Sequence, residues 1–331
     1  MPTFCRHNRF LANCPVCSRD QVDVVSSHRT STAKPAGGAG RTRSASSTRS
    51  SRSGGAVRVR QITREQEDGF RSQLVPGVKA SAAAERLAEE IAFACARLAL
   101  LAGDPPDLYG EVSGLGDREE ALWLAFLIAY LGPLDDEDPF AGVRAAHTSW
   151  ASGELPQLDG VPLGPRTAHA PERGDATLAA YRAWAERAGS QDAAFAGEPA
   201  WAPERRFARA FERLALPGLH RDARFDLLVT LGELGLHELR AGTLQLGGAD
   251  ETTVAAKRVF GIADTLLLER RASEFAVASE VPLAALDLAL WNWNRPPRPG
   301  SAGERDRAEL GAVGVEPNAD AYARIAAALG L

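Results

Sequence analysis

The first seventeen residues contain Cys5, His7, Cys14 and Cys17, in the spacing Cys-x-His-x6-Cys-x2-Cys. Zn²⁺ takes four nitrogen or sulfur ligands in a tetrahedron, and structural zinc sites combine Cys with His. The CxxC pair can turn both thiolates toward one ion, and the Cys-x-His pair supplies the other two ligands. Because all four ligand positions are filled, we expect a structural zinc ion. A redox-active CxxC pair or unligated cysteines are the alternative.

A carboxylate and two tryptophans lie in the segment LAALDLALWNW at residues 283–293. An enzyme that acts on a base in DNA must take the base out of the stack. It then needs aromatic surfaces for the base and a carboxylate near the sugar, which stabilises positive charge or deprotonates a water. Asp287, Trp291 and Trp293 offer these groups, and Asp287 and Trp291 share a helix face. The alternative is that Trp291 belongs to the core and Asp287 pairs with Arg270 or Arg271.

Two glycine turns between predicted helices are candidates for contacts with DNA phosphate, LPGLH at 216–220 and FGIAD at 260–264. Gly218 and Gly261 allow close approach of the backbone, and the N-terminus of the following helix favours an anion. Basic side chains that flank the second turn are expected to hold phosphates as well; they are Lys257, Arg258, Arg270 and Arg271. The alternative is that both turns are ordinary connections between packed helices.

Residues 203–295, with these turns and the proline-apolar stretch before Asp287, resemble the helix-hairpin-helix DNA glycosylase superfamily. The resemblance implies a helical glycosylase-like fold and Asp287 as the catalytic acid. Bifunctional members carry a lysine nucleophile just after the hairpin, where this chain has Thr265, so the resemblance implies a monofunctional enzyme. The LPG turn and the LDLALWNW segment are also similar to the α-glutamyl/putrescinyl thymine pyrophosphorylase group, which implies DNA modification with a modified thymine as the base.

The distribution of charge along the 331 residues is uneven, although the net charge is only −5. Residues 1–60 contain eleven Lys/Arg and two Asp/Glu, and the remainder of the chain carries a balance of −14. Residues 26–60 are rich in Ser, Arg and Gly and hold almost no large apolar side chain, so we expect a disordered linker. Its arginines suit non-specific, salt-dependent contacts with DNA. A solubilising tether for the zinc knuckle is the alternative.

The rest of the chain has apolar residues at helical spacing, and no segment alternates as a buried strand does. We therefore predict an all-α fold. Residues 153–171, rich in Pro and Gly, are predicted to form a long surface loop. Helices are predicted at 81–103, from 117 onward, and at 175–188, 203–214, 221–234, 251–260, 264–279, 283–293 and 319–329.

The predicted organisation is a zinc knuckle at 1–20, a linker at 21–62 and a helical domain at 63–331. A signal-peptide core and long apolar runs are absent from the sequence, which predicts a cytoplasmic protein without a membrane partner. The first hypothesis is a DNA-binding enzyme of the glycosylase-like class. The alternative is a non-catalytic, zinc-containing adaptor that binds nucleic acid, and a protein partner for the knuckle stays open. A P-loop, a dinucleotide fingerprint and a serine elbow are lacking, which disfavours small-molecule metabolism.

Overall fold

The computed structural model describes residues 67–295 and 318–331. Within those ranges the chain forms helices joined by loops and contains no strand, which confirms the prediction of an all-α body for this part of the protein. The predicted zinc ligands Cys5, His7, Cys14 and Cys17 lie outside the described residues. The predicted linker at 21–62 lies outside them as well.

The helices are numbered here in chain order. They are α1 (Ser81–Gly103), α2 (Asp107–Gly114), α3 (Arg118–Leu131), α4 (Ala141–Ala146), α5 (Gly174–Ala188), α6 (Gln191–Ala196), α7 (Pro203–Arg213), α8 (Arg221–Glu233), α9 (Glu251–Phe260), α10 (Thr265–Ala278), α11 (Leu283–Trp293) and α12 (Asn318–Leu329). A single 3-10 turn, Trp150–Ser152, lies between α4 and α5.

The helix boundaries agree closely with the prediction where the apolar period is long. The ranges predicted for α1, α9 and α11 coincide with the observed ones. The sequence did not predict α2, α4 or α6, because helices of six to eight residues are too short to show a clear period.

Helix α3 lies at the centre of the described body. Every residue from Ala121 to Leu131 is buried, as expected for a helix that is apolar on all sides. Asp117 caps its N-terminus by accepting hydrogen bonds from the N–H groups of Glu119 and Glu120. Aromatic rings from α3 pack against α5, and the ring centroids of Phe126 and Tyr181 lie 3.7 Å apart. Helix α8 packs against α3.

A second group of helices packs around α1, which contacts both α11 and α12. Trp293 at the end of α11 is 5% exposed, and its indole Nε1 donates a hydrogen bond of 3.0 Å to the carbonyl of Ala83. Ser81 is the first residue of α1. Its N–H donates to the carboxylate of Asp68.

The segment between the 3-10 turn and α5 is only partly a surface loop, so that prediction was wrong for its second half. The N–H of Gly164 donates to Leu131 O at 3.0 Å, and that of Ala168 donates to Tyr130 O at 2.9 Å. These bonds hold the loop against the C-terminal end of α3. Arg166 lies between the two, and its side chain is only 7% exposed. Sequence composition suggested exposure because Pro and Gly are frequent here, but the stretch packs inward.

Among the helices of the described ranges, none combines the length and the apolar character required to cross a membrane.

Candidate active site

Asp287, the predicted catalytic acid, lies in the middle of α11 and is 1% exposed. Its carboxylate meets two arginines. Oδ2 accepts a hydrogen bond from Arg166 Nη2 at 3.1 Å, and Oδ1 forms an ion pair with Nη1 of Arg221. A buried carboxylate needs such partners, because an isolated charge in the interior is strongly destabilising. Asp287 therefore anchors two cationic side chains and does not itself open to solvent.

Arg166 connects Asp287 to a second carboxylate. Its Nε lies 3.1 Å from Oδ2 of Asp226 on α8, while Nη2 binds Asp287. The guanidinium group lies over the ring of Trp291, with its carbon 5.0 Å from the ring centroid. Asp287 and Trp291 thus face the same group, as expected for residues four apart on a helix.

Helix α8 supplies the remaining charges of the cluster. Arg221 is its first residue, and Asp222 and Asp226 follow at positions that share one helix face. Arg221 Nη1 lies 3.0 Å from Asp222 Oδ1, and Nη2 donates to the carbonyl of Leu244. We call Asp222, Asp226, Asp287, Arg166 and Arg221 the charged cluster.

Burial and neighbouring charge act against each other on the acids. Burial raises the pKa of Asp226 to about 6, while the positive charge of Arg166 opposes the rise. Burial also raises the pKa of Asp287, against the attraction of Arg221 and Arg166. Burial disfavours the charged forms of Arg166 and Arg221, but the neighbouring carboxylates outweigh it and raise both arginine pKa values. Both arginines are therefore charged at neutral pH.

A cavity of about 50 Å³ adjoins the charged cluster. Asp226 and Arg166 form part of its wall, and Asp287 is not in contact with it. Arg97 and Tyr109 complete the polar side, and Arg97 Nη2 donates to the Tyr109 hydroxyl at 3.0 Å. The remaining wall is mostly apolar. Asp226 is about one-third exposed, so it is the acid of the cluster that an entering molecule can reach.

The two base-stacking candidates are buried in the described body. Trp291 is 1% exposed and Trp293 5%. The guanidinium carbon of Arg295 lies 4.0 Å from the ring centroid of Trp291, which therefore contacts two arginines. A stacking role for either indole would require the ring to leave the core, at a cost of several kcal/mol.

The glycines of both turns have a left-handed backbone, with φ of +79° at Gly218 and +66° at Gly261. The first turn packs against α5, where the Thr177 hydroxyl donates to Pro217 O at 2.8 Å. The second turn is exposed, but the Asp264 carboxylate accepts a hydrogen bond from Leu267 N at 3.0 Å and caps α10. That carboxylate occupies the place in which a phosphate would bind.

Three of the four basic residues near the second turn already have partners. Arg270 and Arg271 both donate to the carboxylate of Glu274, at 2.8 and 3.0 Å. Arg258 donates to Asn294 Oδ1 at 2.6 Å and lies over the ring of Trp293. Lys257 is half-buried near the end of α9. These arginines are exposed enough to exchange their partners for phosphate, and the contact with DNA stays a prediction.

Of the charged cluster, the sequence pattern indicates only Asp287 as a candidate site residue. Asp222 and Asp226 carry one signal, because residues four apart share a helix face, although the stretch RDARFD around them is strongly charged. Arg166 carries no such signal, since it lies in a segment without periodicity. Groups of three or more His, Cys, Asp or Glu arranged to hold a metal ion are absent from the ranges that the structure describes.

No protein-family model matches this sequence, and no match was found among the curated proteins or among the solved structures.

Proposed function

We propose that the helical body is a monofunctional, glycosylase-like enzyme that acts on a base in DNA, with Asp226 as the carboxylate that meets the substrate. The observation that supports this most strongly is the position of Asp226 on the wall of the cavity, held by Arg166. In this proposal Asp287 is a positioning residue, because it forms ion pairs with Arg166 and Arg221 and does not itself line the cavity.

The chemistry follows from the pKa of Asp226, which burial raises to about 6. A carboxylate with this pKa is ionised at pH 7 and still basic enough to take a proton from water. Water gives its hydroxyl to the sugar carbon and its proton to Asp226. The base leaves with the electron pair of the glycosidic bond, and Asp226 returns the proton to the base.

Arg166 supplies the electrostatic part of the mechanism. As the glycosidic bond breaks, negative charge develops on the base, and a hydrogen bond donated by a fixed guanidinium group in a partly desolvated cavity stabilises it. Arg166 cannot rotate away, because Asp226 and Asp287 each hold one of its nitrogens at 3.1 Å. Preorganisation of this kind requires no rearrangement during the reaction.

The zinc knuckle and the basic residues 26–60 deliver the body to DNA in this proposal. Spaced arginines bind phosphate without sequence preference, and their affinity falls steeply as salt rises. The body then acts on an extruded base, and a modified thymine is the substrate that the family resemblance implies. The knuckle is structural, and its zinc takes no part in the reaction.

The test uses the full-length protein with single-stranded and duplex oligonucleotides that contain each normal base or a modified thymine. Released base is measured by mass spectrometry, and DNA affinity is measured separately at low salt. Asp226→Asn is expected to lower base release at least a hundredfold with nearly unchanged affinity. Asp159→Asn, at an exposed position, is the matched control and should retain activity. Absence of base release by the wild-type protein on all substrates would refute the proposal.

A second candidate function is a non-catalytic adaptor that binds nucleic acid through the knuckle and linker. The burial of Asp287 favours it, because a carboxylate with two arginine partners and 1% exposure is also what a purely structural ion-pair cluster requires. The same experiment separates the two functions. If the protein is an adaptor, it binds DNA at low salt and releases no base from any of the substrates, with or without the Asp226→Asn substitution.

A further inference from the structure

Two nitrogens of Arg166, Nε and Nη1, are buried and make no hydrogen bond in the described structure. Nε still lies 3.1 Å from a carboxylate oxygen of Asp226, and Nη2 is bound to Asp287, whereas Nη1 has neither kind of partner. A buried donor without a partner costs about 1–3 kcal/mol relative to a satisfied one. The side chain is more than nine-tenths buried, and Arg166 is one of the residues that border the cavity.

The positive charge of Arg166 already has carboxylate partners. Asp226 and Asp287 lie against its guanidinium group, and Asp222 adds a further negative charge nearby. An unsatisfied guanidinium nitrogen would ordinarily suggest a phosphate or carboxylate ligand. Here the charge of Arg166 is neutralised by two carboxylates at 3.1 Å, so an additional buried anion would lack a counter-charge. Arg166 can therefore still donate a hydrogen bond, although its charge is neutralised.

The shape and lining of the cavity restrict the ligand further. Its volume of about 50 Å³ is several times the space that one ordered water needs. Pro133, Pro165 and Leu288 give it apolar walls beside the polar edge. Apolar walls with a small number of polar groups suit the edge of a small planar ring.

We propose that the cavity recognises the carbonyl group of a neutral heterocyclic ring, with the carbonyl oxygen accepting a hydrogen bond from Arg166 Nη1. This inference rests on the proposed function, since the ring is then the base that enters from DNA. It assigns Arg166 as the residue that reads the base, and it excludes free phosphate and carboxylate metabolites as ligands of the cavity.

The test measures binding of free ring compounds to the full-length protein by isothermal titration calorimetry. The probe is 1-methyluracil, whose methyl group stands where the sugar would be attached. Its matched control is 1-methyl-2,4-dithiouracil, which keeps the ring and its N–H but replaces both oxygens by sulfur, a poor hydrogen-bond acceptor. We expect the dithio compound to bind at least fivefold more weakly. Inorganic phosphate should bind at least tenfold more weakly than 1-methyluracil.

Two results would overturn the inference. One is equal or tighter binding of the dithio compound or of phosphate, and the other is no binding of 1-methyluracil up to its solubility limit. The variant Arg166→Lys provides a second test of the hydrogen bond from Nη1, because it keeps the charge beside Asp287 and removes the Nη1 donor. It should abolish the preference for oxygen over sulfur while its melting temperature shows that it folds.

Failure of the inference is distinguishable from failure of the proposed function. Selective binding of 1-methyluracil without base release from any oligonucleotide refutes the enzyme and leaves the carbonyl site in place. Base release without discrimination between the two ring compounds refutes the carbonyl site and leaves the enzyme in place.

Discussion

Arg166 Nη2 lies 3.1 Å from Asp287 Oδ2, although 121 residues separate the two along the chain. The contact joins an aperiodic segment after α3 to the middle of α11. Both side chains are more than nine-tenths buried, so neither charge would be tolerated without the other. Arg166 Nε also lies 3.1 Å from Asp226 Oδ2, so one guanidinium group joins the two acids.

Replacement of Asp287 by Asn should destabilise the protein by about 3–5 kcal/mol, because it leaves Arg166 and Arg221 buried with too little negative charge. The free energy of unfolding in urea measures the effect. Glu212→Gln is the control, since it removes the exposed pair with Arg209 and should cost less than about 0.5 kcal/mol. Equal losses of unfolding free energy in the two variants would show that the buried ion pairs of Asp287 stabilise the fold no more than the exposed pair does.

Gly218→Ala should destabilise the protein by at least about 2 kcal/mol, through both its positive φ and steric overlap. A Cβ atom at this position would lie 2.2 Å from Thr177 Oγ1. Gly235 is the matched control, because its φ of +66° imposes similar backbone strain but a Cβ meets nothing within 4 Å. Gly235→Ala should cost about 1 kcal/mol. A smaller loss of stability in Gly218→Ala than in Gly235→Ala would contradict the close packing of Gly218 against Thr177.

Acid should weaken the fold through His237, whose side chain is 7% exposed. Burial lowers its pKa to about 4, with Arg118 and Arg206 acting in the same direction and Asp192, 3.4 Å away, and Glu119 acting against them. The ordinary value is 6.5, so between pH 6.5 and 4 the unfolded chain binds a proton that the folded chain does not. The stabilisation is complete above pH 6.5 and is lost as the pH falls, by up to about 3 kcal/mol.

Urea unfolding at pH 7.5 and pH 5 measures this effect. His237→Gln should flatten the dependence between the two pH values, whereas His220→Gln, at an exposed position, should leave it as in the wild type. An unchanged dependence in His237→Gln would contradict the assignment.

The purified chain should contain one equivalent of zinc, by elemental analysis, if Cys5, His7, Cys14 and Cys17 bind it as predicted. Cys14→Ser should lower the zinc content sharply, since a thiolate ligand is lost. Cys95→Ser is the control, because Cys95 is a free, half-buried cysteine of α1, and its thiol has a pKa raised by burial to about 11. Zinc that survives Cys14→Ser unchanged would exclude the predicted ligand set.

Long periodic segments of this sequence carried enough information to predict the helices of the body. Helix α11 was predicted with its observed ends, and the shared face of Asp287 and Trp291 followed from helix geometry alone. The partners of Asp287 could not be predicted in this way. Arg166 lies in a segment without periodicity, and Arg221 was visible only as the start of a helix, so their meeting depends on tertiary packing.

The same limit explains the missed position of Asp226. Sequence pattern marks a charged residue within an apolar helix, but it does not show which acid of a cluster faces a cavity and which faces its counter-ions. Asp287 was chosen for its proline-apolar context and its tryptophans. In the packed structure Asp287 is buried beside Arg166, whereas Asp226 lies in the wall of the cavity.

Titration of the Asp226 carboxyl group shows whether burial at the cavity gives this acid the pKa that the proposed reaction requires. In protein labelled with ¹³C at aspartate carboxyl carbons, the Asp226 signal is assigned by its absence in Asp226→Asn, and its chemical shift is followed from pH 3 to pH 8. The account predicts a midpoint near pH 6, because burial at the cavity outweighs the attraction of Arg166. A midpoint at or below the ordinary value of 3.8 would contradict it.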